Sequence, residues 1–354
     1  MARYEVIWWN AQRLLAPTGS NLGRALDATA ADGWTRSAYK AKLERLAALL
    51  LDITDTPPAL LAMAEVENGR VAADLLAAAG WNQLSAVSDP TALLAGDDVV
   101  MLYDPAQLEL IGEPASYNVN NRYTTRDLLE VEFRTADGHE FAVIAAHWPS
   151  RRISNSDALR IGLADYTARL VRRRLMYAKE ELLTKEGRAK MPSATTLEKR
   201  WNYPVLVIGD LNDDPYERSV AEILGASRTR SQAEELRSFP RSRGLAGIDA
   251  YLARDIRLYN PTWKVLLAPD TPSGTTYWDS RWYMLDQAIF SRGFLVGPLR
   301  FDETSLAIHA PRQVRAPNGP FTFTSSRGIP QPFDAKTRRG ISDHLPLSFA
   351  LETP

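Results

Sequence analysis

Cysteine is absent from the 354-residue chain, which excludes disulfides, thiol catalysis and zinc–thiolate centres together. No apolar run approaches the ~18–20 residues of a membrane-crossing helix, so no membrane partner is expected. The N-terminus lacks a basic stretch followed by an apolar core. It goes straight into the alternating segment Tyr4-Glu-Val-Ile-Trp-Trp-Asn10. Without a secretory signal and without cysteine, the expected compartment is the cytoplasm. Repeats, low-complexity tracts and linkers rich in Pro, Gly or Ser are also missing, so a single domain over residues 1–354 is expected. Neither sign of charge dominates: 42 Lys+Arg face 43 Asp+Glu, a net charge of −1. The distribution is uneven. Between Arg151 and Trp201 there are 13 basic and 6 acidic residues, a local excess of +7 on a body that is acidic elsewhere. Such a basic insertion suits a polyanion-facing surface; the plainer reading is a solvated helix face with i,i+4 ion pairs.

What is present is a succession of strand-like runs: Glu5–Trp9, Ala59–Ala64, Val99–Tyr103, Leu128–Phe133, Phe141–Ala146, Val205–Ile208, Leu285–Phe290 and Leu345–Leu351. Helical patterns lie between several of them. Arg36–Leu51 places Leu43, Leu46, Leu49 and Leu50 at helical spacing. Asn68 is positioned to cap a helix that Gly80 would end. The longest helical pattern is predicted over Asp157–Leu183. Two long surface loops are expected at 227–261 and 310–340, the second with five prolines. Strands interspersed with helices argue α/β or α+β around a large sheet core.

Polar residues punctuate the ends of these runs. Asn10 follows the first. Glu65 stands in Ala64-Glu-Val-Glu-Asn68, and His147 in Ala146-His-Trp-Pro-Ser150. Gly209-Asp-Leu-Asn212 ends the central run Val205–Ile208, with Asp210 and Asn212 on one side of an extended chain. Asp286 sits in Met284-Leu-Asp-Gln287, and Asp343-His344 precedes the last run. A carboxylate and an amide on one face suit a hard cation, a water or a phosphate oxygen, although Asp, Asn and Pro also make ordinary turns. Polar groups so placed are costly unless paired, metal-bound or facing a cleft.

This ordered series, with Trp9-Asn-Ala-Gln-Arg-Leu14 near the start and Ser342-Asp-His-Leu-Pro346 near the end, resembles the endonuclease/exonuclease/phosphatase superfamily. That is the fold of pancreatic deoxyribonuclease and of the abasic-site endonucleases. The resemblance runs from residue 5 to residue 350. It implies a four-layered sandwich, two mixed β-sheets packed face to face and flanked by helices. It also implies hydrolysis of a phosphate ester dependent on Mg²⁺ or Mn²⁺. By resemblance Glu65 is the main metal ligand, with Asn10 and Asp343 close to the metal. Asp210 would position or deprotonate the attacking water, and Asn212 would hold that water or the phosphate. His344 would contact a phosphate oxygen, oriented by Asp286. His147 would be an acid or a phosphate clamp. Arg126 matches an arginine that often touches phosphate, although Asp127 stands where the family more often has proline. Plainer readings stand beside these: Glu65 as a strand cap, His147 as a core histidine, Asp286 in an ion pair with Arg281 or Arg292, Asn10 as a turn residue. Tyr103, His139 and His309 read as core, hairpin turn and loop edge.

The resemblance does not name a substrate. The first reading is a nuclease, acting on DNA before RNA. Arg172, Arg173 and Arg174 would grip the phosphate backbone, and Trp148, Trp278 and Trp282 would stack on or wedge against bases, the plainer reading of the tryptophans being core or rim packing. The second is a phosphatase or phosphodiesterase for a small or lipid-linked phosphate. The third is an inactive binding module, which the filled constellation argues against.

Overall fold

The computed structural model describes residues 2–17, 32–87, 98–119, 128–236, 238–239, 244–268, 272–316 and 318–354. Seventeen strands occur among them. They are β1 (Arg3–Leu14), β2 (Leu60–Val66), β3 (Ser85–Val87), β4 (Asp98–Tyr103), β5 (Leu108–Tyr117), β6 (Leu128–Thr135), β7 (Glu140–His147), β8 (Val205–Asp210), β9 (Ala226–Ser227), β10 (Leu258–Tyr259), β11 (Thr276–Trp278), β12 (Arg281–Tyr283), β13 (Asp286–Phe290), β14 (Arg300–Ile308), β15 (Gln313–Val314), β16 (Phe321–Thr322) and β17 (Leu347–Glu352). One large sheet has the order β14-β17-β1-β2-β4-β3, the other β5-β6-β7-β8-β13-β10-β9. Both are mixed: β1 runs parallel to β2, and β7 parallel to β8, among antiparallel neighbours.

Alternation decides which residues face which layer. Val6 and Trp8, Val143 and Ala145, Leu206 and Ile208, and Phe290 and Phe349 meet in one buried cluster between the sheets. The opposite faces of the same strands are covered by helices. Ile7, Trp9, Leu61 and Met63 pack under α1 (Arg36–Ile53) and α2 (Gly69–Ala79). Ile144, Ala146, Val205 and Val207 pack under α3 (Ser156–Leu175) and α4 (Ala194–Trp201). The result is the expected four-layered sandwich. Asn68 accepts from the amides of Arg70 and Val71 to cap α2, and Gly80, at φ +74°, ends it.

Three expectations need correction. The helix predicted to reach Leu183 stops at Leu175, because Met176 turns extended and carries itself and Leu182 into the apolar cluster. The segment 227–261 is not irregular: it holds β9, β10 and short helices at Arg230–Glu234 and Leu245–Leu252. The segment 310–340 contributes the β15–β16 hairpin and the buried side chains Val314, Phe323 and Phe333 beside α1. Two edge strands, β5 and β14, were not anticipated. Their residues are mostly half-exposed, so their apolar alternation is weak.

Candidate active site

The strand registers assemble the site. His147 pairs with Asp210 across β7–β8, and Asp210 with Asp286 across β8–β13. In-register side chains on neighbouring strands lie about 4.8 Å apart on one face, so three polar residues line up at one end of the sheet. All three continue the inward-facing rows of the central core and are buried. Gly209 permits this close approach: a Cβ there would meet the Ala146 carbonyl oxygen at 2.2 Å. Asn10 continues the inward row of β1 after Trp8.

Glu65 breaks the pattern. Ala62 and Ala64 face inward while Leu61 and Met63 face the helices, so plain alternation would aim Glu65 outward. Its backbone is left-handed, at φ +60°, which redirects the side chain into the cleft. There Glu65 Oε1 accepts from Asn10 Nδ2 at 3.3 Å, and Oε2 accepts from the Arg13 amide at 2.8 Å. His147 Nε2 stands 3.9 Å from Glu65 Oε1 and 3.5 Å from Asp210 Oδ2. Asn10 Nδ2 also donates to Asp210 Oδ2 at 3.0 Å.

A second arm reaches Asp210 from the opposite side. His344 Nδ1 is 2.7 Å from Asp286 Oδ2, and its Nε2 is 3.7 Å from Asp210 Oδ2. Asp286 Oδ1 accepts from Trp8 Nε1 at 2.7 Å. Burial alone would lower the His344 pKa, but Asp286 and Asp210 outweigh it and hold the imidazole charged, well above its ordinary range. Burial, with Asp286 adding to it, pushes the Asp210 carboxyl up to about 6, against the pull of His344 and of the hydrogen bonds from Asn10 and the Asn212 amide. The tightest group of metal-type ligands among the described residues is Asp210, Asp286 and His344. Asp286 accepts at both oxygens, from Trp8 and from His344, so the three groups form an acid–imidazolium–acid line. Glu65 and Asp343 share one cleft of about 650 Å³ with His147, Asp210, Asn212 and His344. A larger hollow of about 1030 Å³, beside Trp201 and Phe239, contains none of these residues.

The Gly-Asp-Leu-Asn turn is held from behind by residues that pattern reading passed over. Asn212 is left-handed at φ +51°, donates from Nδ2 to the Trp148 carbonyl at 2.9 Å, and accepts at its own carbonyl from Arg151 Nε at 2.7 Å. Buried Asp213 and Asp214 pair with Arg160 and Arg151, and Asp214 accepts from the Met284 amide at 2.7 Å. The adjacent Asp213 and Asp214 were visible in the sequence but were not singled out. Lys42, also missed, is wholly buried in α1 beneath the cleft and donates to the Gln12 carbonyl oxygen.

The expected substrate residues fare differently. Trp148 is fully buried among α3 and α4, so its ring is no stacking platform; it serves the site through its backbone. Trp282 packs half-buried against the helix-covered face of the first sheet and does not line the cleft. Trp278 does line it, 44% exposed, with the Arg152 guanidinium 5.6 Å over its ring. The basic run turns inward to the protein itself. Arg172 donates to the Leu252 and Arg254 carbonyls, Arg173 pairs with Glu130, and Arg174 with Glu130 and Glu132. Glu130 is buried on the outer face under α3, so these arginines neutralise it away from the cleft. Arg126 lies outside the described residues. Tyr103 packs on Phe133 at the opposite end of β4, His139 sits in the β6–β7 turn, and His309 bonds Ser348.

A sequence model of the Endonuclease/Exonuclease/phosphatase family matches residues 24–256. The chain belongs to that family. No curated protein sequence matches it. Solved structures with the family's fold align over nearly its whole length. A humanised D. rerio TDP2 carrying 14 mutations is 13% identical, with 99% of each chain covered and a TM-score of 0.54. An endonuclease/exonuclease/phosphatase family protein from Bacteroides thetaiotaomicron is 12% identical, with 99% of this chain and 95% of that one covered and a TM-score of 0.52. A Bacteroides thetaiotaomicron mannosyl-6-phosphatase is 12% identical, with 99% of each covered and a TM-score of 0.50. At such identities the likeness establishes the fold. Family membership makes the chain a hydrolase of phosphoesters; the family is generally dependent on a divalent metal. No helix among the described residues is long and apolar enough to cross a membrane.

Proposed function

We propose that this family member is a Mg²⁺- or Mn²⁺-dependent phosphodiesterase acting on nucleic acid, with DNA the first substrate. One observation carries the reading: Glu65, Asp210 and His344 line one cleft, with Asn10 Nδ2 donating to both Glu65 and Asp210 and Asp286 behind His344. Glu65, with Asn10 and Asp343, presents hard oxygen donors, and such a sparse set fits a cation that keeps several waters. The bound cation would neutralise charge growing on the phosphoryl oxygens. The chain's own groups do the rest. Asp210, with a pKa near 6, takes a proton from the attacking water at neutral pH. Asn212, fixed by Trp148 and Arg151, holds that water or the phosphate. His344, charged through Asp286, donates from Nε2 to a phosphoryl oxygen. His147 Nε2, between Glu65 and Asp210, clamps the phosphate or protonates the leaving oxygen.

A polynucleotide is favoured by the rim. Trp278 is an exposed aromatic residue with the Arg152 cation over its ring, a pairing that suits a base next to a phosphate. The test is a panel of plasmid, single-stranded DNA, RNA, sugar phosphates and inositol phosphates, with Mg²⁺ or Mn²⁺ and with EDTA. Metal-dependent cleavage of DNA, lost in Glu65→Gln and given a higher KM by Trp278→Ala, is expected. Phosphate release from small monoesters with no cleavage of nucleic acid overturns the nuclease reading.

A further inference from the structure

Lys42 is the one lysine among the buried polar residues described, with 1% of its surface exposed. A fully buried ammonium is costly, so its position needs a reason. Its hydrogen bond goes to the Gln12 carbonyl oxygen, and the Phe333 ring lies 5.0 Å away. Burial lowers its pKa to about 7, while Asp343 and Glu65 pull it back up.

The carbonyl it holds belongs to an unusual stretch of chain. Gln12 and Arg13 are consecutive left-handed residues, at φ +51° and +55°, and neither is glycine. Each such residue is strained and persists only when its surroundings impose it. The β1–β2 register shifts between Asn10 and Leu14, where this kink falls. The kink turns two amides onto the cleft: Gln12 N–H donates to Asn10 Oδ1 at 2.9 Å, and Arg13 N–H donates to Glu65 Oε2 at 2.8 Å. Gln12 Oε1 meanwhile accepts from the Phe333 amide at 2.7 Å. The carbonyl held by Lys42 therefore lies between the two amides that orient Asn10 and Glu65.

We propose that Lys42 is a positioning residue for the cation site, its buried ammonium pinning the left-handed Gln12–Arg13 kink whose amides hold Asn10 and Glu65. This rests on the reading of Glu65 and its neighbours as the cation site. The proposal separates cleanly from a countercharge role. Removing a positive charge near Glu65 and Asp343 would by itself tighten cation binding; loosening the kink weakens it.

The experiment uses full-length protein as wild type, Lys42→Met, Lys42→Gln and Glu65→Gln. Mn²⁺ affinity is read by calorimetry and by electron paramagnetic resonance, and hydrogen exchange is followed over the peptide containing Gln12 and Arg13. Lys42→Met is expected to bind Mn²⁺ about 10–100-fold more weakly, the usual loss when a partner behind a ligand is removed. Its Gln12 and Arg13 amides should exchange faster in metal-free protein. Lys42→Gln, which keeps a donor, should lose less. Unchanged or tighter Mn²⁺ binding in Lys42→Met, undisturbed protection of the kink, or equal losses in Met and Gln variants each overturn the pinning. Wild-type Mn²⁺ binding in Glu65→Gln would instead overturn the cation-site reading, an outcome the same titrations distinguish.

Discussion

Replacing Asp286 by asparagine tests the acid–imidazolium–acid line with almost no change in shape. Asp286 accepts two hydrogen bonds, one from Trp8 Nε1 at 2.7 Å and one from His344 Nδ1 at 2.7 Å. Asparagine has a single acceptor oxygen and a donor NH₂ in the same space. If the oxygen stays on Trp8, the NH₂ faces His344, whose Nδ1 must then give up its proton and its charge. If the oxygen turns to His344, two buried donors confront each other at Trp8. Either way a charge-assisted bond worth about 1.5–3 kcal/mol is lost. If that loss falls on the transition state, kcat/KM drops by about 10–150-fold.

The sign of the pH effect follows from the same contacts. The His344 pKa is raised in the folded protein, so its charge is present at low pH and lost as pH rises through the folded value. Activity that needs the imidazolium falls over that alkaline window. In Asp286→Asn the fall begins at lower pH, because the largest charge that raises His344 is gone. Asp210 must be ionised, so activity rises as pH climbs through about 6. The assay is the pH profile of kcat/KM on a phosphodiester at saturating Mg²⁺, with thermal unfolding as the control for folding. Wild-type rate and an unmoved alkaline limb in Asp286→Asn would refute the reasoning.

Gly209→Ala places a Cβ 2.2 Å from the Ala146 carbonyl, between two buried strands that have little room to separate. It should lower stability by about 2 kcal/mol or more, measured by denaturant unfolding, and displace Asp210 enough to cut activity. Changing Arg172, Arg173 and Arg174 together to alanine strips Glu130 of its two cations; breaking a buried pair costs about 3–5 kcal/mol. Stability should fall by that order, while the salt dependence of DNA binding stays as in the wild type; a flattened salt slope would return these arginines to the substrate.

Much of this was written along the chain. Alternating apolar runs placed eight strands, and the polar residues that cap them drew attention to one end of the sheets. Glu65, His147, Asp210, Asn212 and Asp343-His344 line one cleft, with Asn10 and Asp286 hydrogen-bonded to them, because neighbouring strands that end at one edge bring their last residues together. Local pattern also captured the Asn68 cap and the Gly80 stop, which depend only on nearby backbone groups. It failed where partners are distant. The Arg172–Arg174 run looked like a polyanion grip, yet Glu130 and Glu132, some 40 residues away, claim two of its charges. Trp148 and Trp278 look alike in sequence; layer packing buries one and leaves the other at the rim.

Sequence alone thus determined where the main strands run and which residue types stand at their ends, because burial period is a local property; the four-layered order came as an implication of the family resemblance. Tertiary structure decided three things that no spacing encodes. It turned Glu65 inward through a left-handed backbone, engaged both oxygens of Asp286, and set Lys42 beneath the Gln12–Arg13 kink. Each of these depends on contacts between segments remote in the chain, where backbone strain and buried charge persist because the surrounding packing holds them.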